Sequence, residues 1–180
     1  MDKDWTGNKQ TNFTRLGARN YAKEDRQIND YYATPPKAVE ELLKVENFSP
    51  MIWECACGEG HISKVLEAHG YDVCSTDLID RGYGNGKYDF LQCDERNIDE
   101  DIITNPPYKY SKEFVEKAIE VIGEGHKVAM LLNIQFLETV KRRALFDKYP
   151  PKCVYIFTKR ITCGRNGVFG NGDPIIKWVN

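Results

Sequence analysis

Short apolar runs alternate with amphipathic stretches along most of this chain, and that alternation leaves few folds open. "MIWECA" (51–56) reads as a buried strand and "HISKVLEAHG" (61–70) as an amphipathic helix closed by Gly70. "DVCSTDL" (72–78) and "DIIT" (101–104) read as further strands, followed by a helix over "KEFVEKAIEVIG" (112–123). Then come a strand at "KVAMLLN" (127–133), a helix at "LETVKRRALFDKY" (137–149) and a strand at "CVYIFTK" (153–159). Strands separated by helices are βαβ units, and these close into a doubly wound, mainly parallel sheet. "IIKWV" (175–179) is a candidate last strand, pairing back on 153–159 as an antiparallel hairpin. Such an α/β Rossmann-like fold places its ligands at the carboxyl ends of the strands.

Ahead of this pattern, residues 1–30 form a polar arm with little to bury. Residues 31–180 read as one domain, a length that supports a substantial core. "ATPPKAVEELLK" offers Thr34 as N-cap, Pro35 and Pro36 as a helix start, and Val39, Leu42 and Leu43 as an apolar stripe. The N-terminus lacks the apolar core of a signal peptide and no apolar run approaches the roughly 18 residues of a membrane helix, so the expectation is a cytoplasmic protein. None of the six cysteines forms a CxxC pair and the three histidines have no ligand spacing. Reduced thiols and no metal are expected.

The candidate chemistry collects at strand ends. "ECACGEGH" carries Gly58 and Gly60 where a strand turns into a helix, which suits either a structural turn or close approach to a ligand. Glu54 at that strand's end would repel a pyrophosphate and welcome an ammonium or sulfonium cation. Asp77 follows Gly60 by 17 residues, near the roughly 20 expected of a ribose-binding acid, although a turn cap explains it alone. In "YDFLQCD", Asp89 suits an exocyclic amine and Phe90 a purine face; a core Phe beside a surface Asp is the rival reading.

"NPPY" (105–108) ends a strand abruptly, because proline fixes φ and cannot donate to a ladder. The Asn105 carboxamide oxygen and the Pro106 carbonyl make two neighbouring acceptors, suited to a planar NH2 group with two donors. Tyr108 adds a flat face for stacking.

The order of these segments resembles class I S-adenosylmethionine-dependent methyltransferases, specifically N6-adenine DNA methyltransferases. The resemblance rests on "ECACGEG", "STD", "YDFL" and "NPPY", with "YYATPPKAVEELL" similar to a further family motif, and spans about residues 31–159. It implies the class I methyltransferase fold and S-adenosylmethionine as cofactor. Tyr32, Thr34, Glu54, Ala56, Gly58 and Gly60 would then line its methionine and ribose portion. Asp77 with Leu78 would take the ribose, and Asp89 with Phe90 the adenine. Asn105, Pro106, Pro107 and Tyr108 would hold a flipped target base. RNA bases and a protein glutamine amide are alternative acceptors, and a non-catalytic nucleic-acid-binding subunit is a third reading.

Charge is uneven. Residues 31–108 carry −9 and residues 109–180 carry +6, within a net −2. The basic third offers Lys109, Lys112, Lys141, Arg142, Arg143, Lys159, Arg160 and Arg165 as phosphate contacts to DNA, giving affinity without base specificity. A solvated mixed-charge surface is the plainer alternative. The glycine-rich 160–174 segment reads either as a DNA-touching loop or as an ordinary hairpin loop. No separate target-recognition domain fits in this length. Recognition is therefore expected to be short or relaxed, to use the arm and that loop, or to come from a partner subunit or second copy. A minimal, phage-style or truncated enzyme would look like this.

Overall fold

A computed structural model describes residues 32–138, 140–158, 163–165 and 177–179. Its main sheet has six strands: β2 (Met51–Glu54), β3 (Asp72–Ser75), β4 (Asp101–Thr104), β5 (Val128–Leu132), β6 (Val154–Tyr155) and β8 (Lys177–Val179). They lie in the order β3-β2-β4-β5-β8-β6. β2 pairs in parallel with β3 and β4, and β4 with β5. The fold is the doubly wound α/β arrangement expected from the sequence. β8 does pair antiparallel with β6, as the hairpin reading requires, but it also pairs with β5 and so sits between the two. A second, two-stranded sheet joins β1 (Tyr32–Ala33) to β7 (Gly164–Arg165), with Tyr32 opposite Arg165.

Alternation along the strands divides the core. Ile52, Ile103, Ala129 and Leu131 face one side, where they pack with Ala38, Val39 and Leu42 of α1 (Pro36–Leu43) and Leu66 of α2 (Ser63–Ala68). Trp53, Ile102, Met130 and Leu132 face the other, against Phe114, Ala118 and Val121 of α3 (Ser111–Val121) and Leu145 of α4 (Arg143–Lys148). Period two on a sheet covered on both faces is what buries every residue of β4. At the amino-terminal edge, buried Asp101 accepts from the Ser49 and Lys127 amides at 2.7 and 2.8 Å, tying β4 to β5 far from the strand ends that matter below.

Three expectations need correction. Thr34 does not cap α1; Pro35 occupies that position without a side-chain bond, and the Thr34 hydroxyl is engaged elsewhere. Residues 137–149 do not form one helix: 3-10 turns at Ile134–Glu138 and Val140–Arg142 precede a short α4. The Arg142 guanidinium donates to the Gln135 and Phe136 carbonyls at 3.2 Å each and lies over the Phe136 ring, which favours the tighter turn. Among the described residues, the strand expected over 153–159 pairs only at Val154 and Tyr155, as the edge of the sheet.

The strand order reverses at β2. The chain leaves β2 for β3 on one side, then returns to lay β4 on the other. The carboxyl ends of β2 and β4 therefore flank the crevice where open α/β sheets bind ligands.

Candidate active site

That crevice holds a cavity of about 500 Å3. Its lining brings together Tyr32, Thr34, Glu54, Ala56, Asp77, Leu78, Asp89 and Phe90 with the whole of Asn105–Tyr108. Residues drawn from five separate stretches of sequence thus meet at one place.

The glycine turn after β2 is shaped by two left-handed residues, Gly58 at φ +57° and Gly60 at φ +76°. The Gly58 amide donates to Asp77 Oδ2 at 2.8 Å, and the Ile79 amide donates to Asp77 Oδ1 at 2.8 Å. Asp77 is therefore a turn cap and a cavity wall at once, so its two readings are compatible; each carboxylate oxygen keeps a further lone pair for a hydroxyl donor. Gly60 is close-packed as well as left-handed: a Cβ there would lie 2.3 Å from the Tyr83 ring. The Tyr83 hydroxyl is held by Glu67 at 2.8 Å. Nothing in the local sequence marks this contact.

Glu54 is only 1% exposed. One of its oxygens accepts from the Ser63 amide at 2.8 Å and from the Ser63 hydroxyl, which in turn accepts from Ser75 Oγ at 2.7 Å. Burial pushes its pKa up to about 8, outweighing the Ser63 hydrogen bonds that favour the charged form, with Asp77 and Glu67 adding repulsion. At neutral pH the free chain therefore holds Glu54 mostly as the neutral acid, where the sequence alone suggests a carboxylate. A cation beside it would restore the charge.

Phe90 is 2% exposed yet borders the cavity, and its ring centroid lies 5.1 Å from that of Trp53, edge-on, and 5.2 Å from that of Phe114. Asp89 Oδ1 accepts from the Leu91 amide at 3.0 Å and opens the 3-10 turn Phe90–Gln92. Phe90 is thus a core residue, and both it and Asp89 also border the cavity.

At the end of β4 the Asn105 side chain is held from behind. Its Nδ2 donates to the Tyr32 carbonyl at 3.2 Å and to Thr34 Oγ1 at 3.0 Å, with Cys163 Sγ at 4.0 Å. Its Oδ1 is buried and has no hydrogen-bond partner. A buried unpaired acceptor costs about 1–3 kcal/mol, so such an atom calls for a ligand or a function. The Pro107 carbonyl is taken by the Tyr110 amide at 2.9 Å and approached by Ser111 Oγ, which starts α3; Pro106, one residue earlier, lies on the cavity wall before that turn begins. Tyr108 stacks on Tyr32 with ring centroids 5.2 Å apart and planes at 26°, so one of its faces is already covered.

The basic residues divide. Lys109 lines the cavity, its ammonium 4.9 Å from the centre of the Tyr110 ring. Lys112 pairs with Glu116 at 3.0 Å and Arg143 with Asp147 at 3.7 Å, both on exposed helix surface. Arg142 is committed to its own loop, as described above. Lys159, Arg160, the side chains of Lys141 and Arg165, the 160–162 and 166–174 parts of the glycine-rich segment, and the arm 1–30 lie outside the described residues. Among the described residues no group of three or more His, Cys, Asp or Glu is arranged to hold a metal ion, and no helix is long and apolar enough to cross a membrane.

No family model matches the chain, and no curated protein matches it in sequence. Among solved structures, it is similar to a Pyrococcus horikoshii protein provisionally described as an RNA methyltransferase: TM-score 0.54, 15% identity, 97% of this chain and 94% of that one covered. It also matches a TehB-like SAM-dependent methyltransferase from Corynebacterium glutamicum: TM-score 0.46, 13% identity, 94% of this chain and 92% of that one covered. The fold is that of the class I, Rossmann-like methyltransferases.

Proposed function

We propose that this chain is an S-adenosylmethionine-dependent methyltransferase that acts on the N6 amino group of adenine in DNA. The observation that carries the reading is the Asn105 carboxamide, whose oxygen is buried, unpaired and beside Pro106 on the cavity wall, with its NH2 turned away and bonded. An unsatisfied acceptor next to a rigid carbonyl is a socket for a planar NH2 group.

The residues also fit the cofactor. Asp77 stands where ribose hydroxyls would donate, Phe90 offers an aromatic wall, and Glu54 is a buried acid that a neighbouring sulfonium would ionise. The positive φ of Gly58 and Gly60 carries the chain tightly around that end of the cavity. When bound, S-adenosylmethionine would supply a methyl group made electrophilic by its sulfonium charge.

The chain's own contribution is positioning. An exocyclic amine of adenine is a poor nucleophile because its lone pair is delocalised into the ring. Asn105 Oδ1 and the Pro106 carbonyl would each accept one N–H, holding the nitrogen in place and drawing its lone pair out of conjugation. No strong general base is needed, since orientation and electrostatics supply the rate. Tyr108, with Tyr32 behind it, offers one face to the base and offsets part of the stacking lost when the base leaves a duplex.

An RNA base is the second reading. It is favoured by the description of the Pyrococcus horikoshii protein, and the socket itself accepts any aromatic NH2. Duplex DNA, single-stranded DNA and structured RNA, each incubated with cofactor carrying a labelled methyl group, separate the two. Label in the N6-methyladenine of DNA is expected. Label confined to RNA would replace the acceptor, and label found only in protein would end the nucleic-acid reading. Asn105→Ala should bind cofactor as the wild type does and transfer nothing; undiminished turnover would remove Asn105 from the mechanism.

A further inference from the structure

We propose that Thr34 is a positioning residue that acts through Asn105, holding its carboxamide in the one orientation that leaves Oδ1 unpaired. This rests on the transferase reading for its catalytic consequence, though not for its geometry. A free Asn side chain chooses between two orientations that differ only by exchanging oxygen and nitrogen. Here the choice is made from behind. The Tyr32 carbonyl can only accept, so rotating Asn105 by half a turn would set its oxygen against another oxygen at 3.2 Å. The Thr34 hydroxyl, 3.0 Å away, accepts from the remaining N–H. With both protons engaged, Oδ1 is left pointing where nothing in the chain meets it. Tyr32 also faces Arg165 across the two-stranded sheet, so the strand that supplies one acceptor is itself tied down.

The family resemblance assigns Thr34 to cofactor binding and helix periodicity assigns it to a cap; the hydrogen bond points to neither. Thr34 is 3% exposed, and its hydroxyl contacts the residue that would grip the substrate. The two roles differ in what they perturb. A cofactor ligand, when lost, weakens cofactor affinity. A positioning residue leaves affinity alone and slows the transfer, because an Asn105 held by one proton spends part of its time turned away.

The test compares Thr34→Val, which keeps the shape and removes the acceptor, with Thr34→Ser, which keeps the acceptor. In the ligand-free protein, one of the two Asn105 side-chain N–H resonances should exchange slowly with solvent in wild type and Thr34→Ser, and at least tenfold faster in Thr34→Val. In turnover assays Thr34→Val should lower kcat about tenfold, the size of one buried hydrogen bond, with cofactor Kd within about twofold of wild type. Thr34→Ser should recover most of that loss. A fall in affinity with unchanged kcat and unchanged exchange would overturn the proposal in favour of a cofactor contact. A Thr34→Val protein whose Asn105 protons exchange as in the wild type would overturn it as well. If the wild type transfers no methyl group while its Asn105 protons still respond to Thr34→Val, the orientation stands and the transferase reading falls.

Discussion

Glu54 is the residue whose environment departs most from its chemistry. Its acid is almost fully buried, and burial holds it neutral to about pH 8. The unfolded chain ionises it in the usual carboxylate range, so between that range and about pH 8 the folded state carries the extra proton. Its contribution to stability is therefore full at low pH and is lost as pH rises through about 8. Replacing it by Gln keeps the acceptor for Ser63 and removes the titration. Glu54→Gln should flatten the fall in stability between pH 6 and 8.5, and at pH 8.5 exceed the wild type by roughly 1–3 kcal/mol in urea unfolding. An unchanged slope would mean that Glu54 is ionised when folded. The same proton bears on ligand binding. A sulfonium beside Glu54 favours the carboxylate, so S-adenosylmethionine binding should release a proton and tighten by up to about tenfold per pH unit below pH 8. S-adenosylhomocysteine, whose sulfur is neutral, should lack that pH dependence. Calorimetry in buffers of different ionisation heat reads the proton directly, and equal release with both ligands would show that Glu54 does not sense the charge.

At the scale of elements, the turn between β2 and α2 sets the mouth of the cavity, and its Gly60 serves a different constraint from Gly70, which follows α2 at the other end. Gly60 combines φ +76° with a ring 2.3 Å from where a Cβ would stand, whereas Gly70, at φ +89°, faces open space. Gly70→Ala should cost about 1 kcal/mol, the strain of a left-handed alanine alone. Gly60→Ala must also displace Tyr83 from Glu67 and should cost at least twice as much, lowering the melting temperature further; equal losses would mean that the ring moves freely. This difference marks the limit of what local sequence reveals. The strand–glycine–helix turn was legible from spacing, because a tight turn leaves its mark in neighbouring residues. The ring that packs on Gly60 comes from 23 positions later, and the acceptors that orient Asn105 come from 71 and 73 positions earlier. Such partners are chosen by topology and leave no local period. The segment 137–149 failed for the opposite reason: its apolar spacing suits a helix, but Arg142 finds carbonyl acceptors that only a tighter turn presents. β8 was legible as a strand but not as an inserted one, since insertion depends on the empty slot beside β5 rather than on "IIKWV" itself.

For the whole molecule, the charge divides between an acidic middle and a basic carboxyl-terminal third, and Lys109 of that third lies on the cavity wall together with Arg81 of the middle. Net charge alone does not identify which cations stand at the cavity, and the structure separates them by position. Lys109 rests over the Tyr110 ring, an aromatic 42% exposed, while the Arg142 guanidinium is spent on two carbonyls and a ring. If a nucleic acid enters by the cavity, the two substitutions to alanine should separate cleanly. Lys109→Ala should weaken binding uniformly across sequences and reduce the slope of log K against log salt by about one, the loss of one released counterion. Arg142→Ala should leave that slope unchanged and instead lower the melting temperature, because the turns before α4 lose their brace. Fluorescence anisotropy with a labelled oligonucleotide across salt concentrations measures the first, and a thermal melt the second. A slope that responds to Arg142 and ignores Lys109 would move the nucleic-acid path away from the cavity mouth, and with it the case that an amine proposed to meet Asn105 arrives on a polymer.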